Sequence, residues 1–173
     1  GYSALPTYSG GISLHADFWG VYLDANLYFV GGHKIMNGAT GLMYEDGGRS
    51  VRQFRAPQDM YGNTWTKPGD KAKMPILANG VTHNGHSGES DRFLVRGDYF
   101  RLKDVTLGYN VPKQYLSRIH YTGTLAVYAK ATNLFTHAFD KNINYDPEVR
   151  VSGLWGFSNP PTRVFSVGLN MNF

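Results

Sequence analysis

The clearest pattern in the chain is its last twelve residues, Thr162 to Phe173. Phe165, Val167, Leu169, Met171 and Phe173 are apolar, and Ser166, Gly168, Asn170 and Asn172 between them are small or polar. Period two marks a β-strand with one oily and one wet face. The same alternation recurs over Tyr8–Phe18, where Ile12, Leu14, Ala16 and Phe18 oppose Ser13, His15 and Asp17. After Trp19-Gly20 it resumes over Val21–Gly31, with Val21, Leu23, Ala25, Leu27 and Phe29 against Tyr22, Asp24, Asn26 and Tyr28. Two such runs with a two-residue link predict a hairpin. Residues 94–111 form a fourth strand, with Val105, Leu107, Tyr109 and Val111 facing one way and Asp104, Thr106, Gly108 and Asn110 the other. Pro112 lacks a donor and stops it. A fifth run covers 121–133, with Leu125, Val127, Ala129 and Ala131 opposite Thr124, Ala126, Tyr128, Lys130 and Thr132.

The pattern therefore predicts an all-β, antiparallel chain of five strands: 8–18, 21–31, 94–111, 121–133 and 162–173. Long non-periodic stretches, 33–92 and 134–161, separate some of them, and short or medium links separate the rest. Short connections at one end and long loops at the other is how transmembrane β-barrels are built. Such strands need only ~9–11 residues. Aspartate and asparagine at the centre of the second strand suit a wet interior. Five strands do not enclose a lumen, since closed barrels of this type have about eight or more. The chain is expected to be the end of a larger barrel, and its start at Gly1 without Met suggests a piece of a longer precursor.

Composition supports this reading. Charged residues are 17% of 173, with 21 Gly, 12 Tyr and 10 Phe, fewer charges than the ~25% of a typical soluble domain. Phe18, Trp19, Tyr109, Tyr115 and Tyr121 fall at the short-link end, where an aromatic girdle belongs. There is no Cys, which excludes a disulfide framework and a thiolate metal site. The net charge of +4 is spread among acidic neighbours and does not make a nucleic-acid surface.

The segments NTWTKPGDKAKMP (63–75), SDRFLVRGDYFRLKDVTLGYNVPK (90–113), VYAKATNLFT (127–136), YDPEV (145–149) and PPTRVFSVGLNMNF (160–173) stand in the order and spacing of one family. Together with the hairpin from Tyr8, they resemble the C-terminal barrel segment of SusC/RagA-type TonB-dependent outer-membrane transporters. The resemblance implies a barrel of about 22 strands with a plugged lumen, to which this chain supplies the last five. It further implies import of oligosaccharides or peptides, with a SusD-like surface lipoprotein as lid and the TonB complex as energy source. The other expected partners are the rest of the barrel and its plug, the cargo and outer-membrane lipid. No cofactor and no catalytic site are implied. Phe165, Val167, Leu169, Met171 and Phe173 match the assembly signal of such barrels, an amphipathic strand ending on an aromatic.

Within that frame, Asp24, Asn26, Asp104, Thr106, Asn110 and Asn170 are the expected lumen-facing residues. Tyr61, Trp65, Trp155 and Phe157 are candidates for stacking on sugar rings. Arg101 and Lys103 are expected on the outward face near the outer rim. Ser13, His15 and Asp17 share a face and spell a hydrolase triad, but alternate strand residues sit ~7 Å apart, too far for a relay. His83 and His86 with Glu89 or Asp91 offer a metal site without a rigid frame. Arg49, Arg52 and Arg55 form a basic patch diluted by acidic neighbours. Asp140, Asp146 and Glu148 do not match a calcium loop, and Asp146-Pro147 reads as a capped surface turn. The competing readings are a secreted all-β carbohydrate-binding module and a barrel enzyme using His15 and Asp17.

Overall fold

The computed structural model describes residues 2–39, 58–72, 74, 76, 90–156 and 158–173. The hairpin forms first in the chain. Strand β1 (Tyr8–Phe18) pairs antiparallel with β2 (Val21–Gly31) from Phe18↔Val21 to Tyr8↔Gly31. Both link residues take positive φ, 51° at Trp19 and 83° at Gly20, as a two-residue turn matched to strand twist requires. Strands β5 (Tyr99–Asn110), β6 (Thr124–Ala138) and β8 (Val164–Asn172) complete an antiparallel sheet of order β1-β2-β5-β6-β8. A short helix α1 (Lys113–Arg118) joins β5 to β6.

The register sorts the side chains cleanly. Leu14 meets Ala25, Leu23 meets Leu107, Leu107 meets Ala129 and Ala129 meets Val167, all on one face. His15, Asp24, Thr106, Lys130 and Ser166 form the neighbouring row on the other. The apolar face is not covered. Leu14 is 66% exposed, Phe165 72%, Val167 85% and Leu169 64%. A soluble module with its own sandwich core would bury these side chains, so the structure removes the premise of the secreted-module reading. No helix of the described residues is long and apolar enough to cross a membrane, whereas these strands have the length and the two faces to do so. In detergent-free buffer the isolated chain is expected to aggregate, because an oily face and two sheet edges are open. A monomeric peak in analytical ultracentrifugation would contradict this.

Aromatic side chains band the apolar face at both ends. Phe18 stacks on Trp19 at 4.7 Å and Tyr121 meets Phe173 edge-on at 5.7 Å at the short-link end. At the long-loop end Phe100, Phe135, His137 and Phe139 lie within 5.3–6.4 Å of one another where they touch. The second band was not expected from the sequence.

The strand expected over 94–111 is in fact two. Gly97-Asp98 breaks it into β4 (Leu94–Arg96), which belongs to a different sheet, and β5. The strand expected over 121–133 starts at Thr124 and runs on to Ala138, and the last one spans Val164–Asn172 rather than 162–173. The stretch 33–92 is not wholly irregular either, because it contains β3 (Lys34–Asn37).

A second compact unit comprises residues 1–5, 33–96 and 148–159. Its sheet has the order β4-β3-β7, with β3 antiparallel to β4 and parallel to β7 (Leu154–Trp155). Ile35 is fully buried, and Phe93, Val95, Met60 and Ala39 are nearly so. The Met36 N–H donates to Gly153 O at 2.8 Å and the Lys34 N–H to Ser3 O at 2.9 Å.

Candidate functional site

The polar face of the five-stranded sheet carries most of the chemistry. Its side chains answer one another across strands. Ser13 Oγ donates to Asn26 Oδ1 at 2.7 Å, and His15 Nδ1 lies 2.6 Å from Asp24 Oδ1. Lys130 Nζ is 3.0 Å from Asp104 Oδ1, which also accepts from Thr132 Oγ1 at 3.1 Å. Thr106 sits between Asp24 and Lys130, while Asn110 and Asn170 flank Ala126 at the short-link end. Asp24, Asn26, Asp104, Thr106, Asn110 and Asn170 thus share one face. The Ser13-His15-Asp17 triad is not assembled, since the partners of Ser13 and His15 are on β2.

Tyrosines lean over cross-strand glycines on this face. Tyr22 covers Gly108 and Tyr128 covers Gly168, so that a Cβ on either glycine would run into the ring. The aromatic ring supplies the packing that glycine cannot.

Arg101 and Lys103 are not on the outward face as expected. Between Asn26↔Asp104 and Leu27↔Leu102, β5 carries one extra residue against β2. Between Asp104↔Thr132 and Leu102↔Phe135, β6 carries one extra against β5, where Asn133 takes φ 53°. A bulge of one residue inverts which face each following side chain takes. Beyond it Leu102 and Phe100 join the apolar face, and Arg101 and Tyr99 join the polar one. Lys103 Nζ sits over the Tyr28 ring, 4.5 Å from its centroid.

Arg101 is only 1% exposed. Its Nη2 reaches both oxygens of Asp146 at 2.6 and 2.7 Å, and its guanidinium carbon lies 5.6 Å from the Tyr99 ring centroid. Asp146 is therefore no capped surface turn; it is claimed from 45 residues away. Asp98, also buried, accepts from the Gly32 N–H at 2.8 Å and from Tyr8 Oη–H at 3.3 Å. Asp140 accepts from both nitrogens of Asn142, at 2.9 and 3.0 Å. Burial, with the Asp140 charge adding to it, pushes the Tyr145 phenol up to about 12. Sequence reading puts Arg101 on the wrong face and Asp146 in a surface turn, and it does not single out Asp98. The available signal was the adjacent pair Lys103-Asp104, two charges in succession in a strand that otherwise alternates.

The loop aromatics are dispersed. Tyr61 is 94% exposed after a 3-10 turn (Gln58–Met60). The Trp65 N–H donates to Met74 O at 2.8 Å, and Trp155 ends β7. The next turn is closed by Asp70, whose carboxylate accepts from Thr66 Oγ1 (2.6 Å) and from the Thr66 and Lys67 amides (both 3.0 Å). These bonds, led by the Thr66 hydroxyl, hold the carboxyl below its usual value of 3.8. Phe157, His83, His86, Glu89, Arg49, Arg52 and Arg55 lie outside the described residues. Among the described residues no three metal-binding side chains cluster.

An open antiparallel sheet with an uncovered oily face, a hydrogen-bonded polar face and aromatic bands at both ends defines a piece of the wall of an outer-membrane β-barrel. No family model matches the chain. It is 24% identical over 177 residues to the TonB-dependent receptor P39 of Formosa agariphila, covering 99% of this chain and 16% of that one. It is 36% identical over 95 residues to TonB-dependent receptor P3 of the same organism, covering 49% and 9%. Among solved structures, it superposes on the RagAB peptide importer in its closed-closed state with a TM-score of 0.78 at 26% identity, covering 99% of this chain and 18% of that chain. On the open-open state the TM-score is 0.75 at 25% identity, covering 98% and 17%. These likenesses support a fragment of a TonB-dependent transporter, and its place is the outer membrane. It spans less than a fifth of the length of these relatives.

Proposed function

We propose that the whole protein imports oligomeric nutrients, oligosaccharides or peptides, across the outer membrane, drawing energy from the TonB complex. A SusD-like surface lipoprotein lids the barrel, and the plug fills its lumen. This chain contributes wall and outer loops and no catalytic group. Asp24, Asn26, Asp104, Thr106, Asn110 and Asn170 face the lumen or the plug, and Tyr61, Trp65, Trp155 and Phe157 are available to cargo from the loops. The observation that carries the reading is the fully two-faced sheet, oily on one side and hydrogen-bonded on the other, at 26% identity to the RagAB importer.

Growth of a strain relying on the intact protein, with oligosaccharide or peptide as sole nutrient, tests it. Deleting tonB, or the gene of the SusD-like lipoprotein, is expected to abolish uptake of one of the two cargo classes. Uptake that persists unchanged without TonB would overturn the proposal.

A further inference from the structure

On the polar face, glycine stands opposite tyrosine in a repeated arrangement, and one instance differs. Tyr22 and Tyr128 fold over Gly108 and Gly168. Gly11 stands opposite Tyr28 in the same way, yet a Cβ on Gly11 would meet only the Leu27 carbonyl, at 3.6 Å. Tyr28 leans away from it, toward Tyr99 (6.3 Å between ring centroids) and under the Lys103 ammonium. The result is a notch with Gly11 as floor, Ser9 and Ser13 on the same face along β1, and Tyr28 with Lys103 as wall.

The Lys103 charge in this notch makes no ion pair among the described residues, and its neighbour Asp104 acts on it only through space. The other two basic side chains on this face of the strands are matched: Lys130 to Asp104 and Arg101 to Asp146. Asp104, beside Lys103, is already taken by Lys130 and Thr132. Among the described residues Lys103 has a ring beneath it and no carboxylate within ion-pair distance. A lysine held on an aromatic face still offers N–H donors to an anion on its open side. Exposed Ser9 adds a hydroxyl on the open side.

Resting on the import reading, we infer that Gly11, Tyr28 and Lys103 form a wall subsite for a carboxylate carried by the cargo. The carboxylate pairs with the Lys103 ammonium, and the adjoining residue of the cargo fills the space over Gly11. Two sources supply that chemistry: the free end of a peptide, or a uronate in an oligosaccharide.

The test uses the intact protein in detergent and isothermal titration in two arms. One compares a peptide with its carboxy-terminal amide. The other compares an oligouronate with a neutral oligosaccharide of equal length. The wild type is expected to prefer the carboxylate form about tenfold in one arm, the worth of a charge-assisted hydrogen bond. Lys103→Gln should remove the preference while leaving affinity for the uncharged probe, and Lys103→Arg should restore it. Gly11→Thr, a residue suited to a strand, should weaken both probes of that arm by filling the floor. The inference falls if Lys103→Gln keeps the preference, if Gly11→Thr binds as wild type, or if the wild type binds the uncharged probe without discriminating. Should the wild type bind no probe and show no TonB-dependent uptake, the import reading falls with it.

Discussion

Val167→Arg is expected to destabilise the intact barrel by about 2–4 kcal/mol, the depth-dependent cost of a cation on the lipid face near the bilayer midplane. On an ordinary protein surface the same change at a site 85% exposed would fall within about 0.5 kcal/mol. The two environments therefore give different magnitudes for one substitution. Val167 lies in the middle of β8 beside Ala129, on the row that continues to Leu107 and Leu23. Ser166 occupies the same depth on the opposite face, across from Lys130. Ser166→Glu is the matched control, because its carboxylate meets a cation in a wet environment and should change stability little. Urea titration of the full-length protein refolded into lipid vesicles reads both. Equal stability of Val167→Arg and wild type would show that this face does not meet acyl chains.

The same row shows why much of the fold was legible in the sequence. A half-lipid, half-water wall imposes period two on every residue that spans it, so β1, β2 and β8 declare themselves within a dozen residues each. The polar face follows from the same alternation, which alone groups Asp24, Asn26, Asp104, Thr106, Asn110 and Asn170. Legibility ends where one extra residue enters. Beside Lys103 the parity of β5 flips, and extrapolating from Val105 and Leu107 sends Arg101 to the wrong face. The small sheet was hidden for a different reason. Its strands have four, three and two residues, too few to show a period, and Lys34–Asn37 finds its partners far along the chain. The notch at Gly11 needed both the register and the direction in which Tyr28 leans, and neither is written locally.

Arg101→Ala is the change with the largest expected cost, about 3–5 kcal/mol, because it removes one member of a buried ion pair. The Arg101 side chain is 2% exposed and that of Asp146 16%. Water has little access to the carboxylate once the guanidinium is gone, and its desolvation is then less well compensated. The loss should be local as well as global. Asp146 belongs to the long connection between β6 and β8, so the pair ties that connection to the wall at Arg101 on β5. Proteolysis of intact cells is expected to cut within 139–163 faster in Arg101→Ala than in wild type, alongside a lower melting temperature of the purified protein. Arg101→Met combined with Asp146→Leu provides the decisive comparison. Replacing both charges with apolar groups of similar size removes the buried carboxylate together with its cation, and such double replacements are often neutral or stabilising. The double variant should therefore recover most of the melting temperature that Arg101→Ala loses. If Arg101→Ala melts and resists cleavage like the wild type, the pair does not anchor the connection. If the double variant is as unstable as the single one, packing around Arg101 rather than its charge holds this rim together.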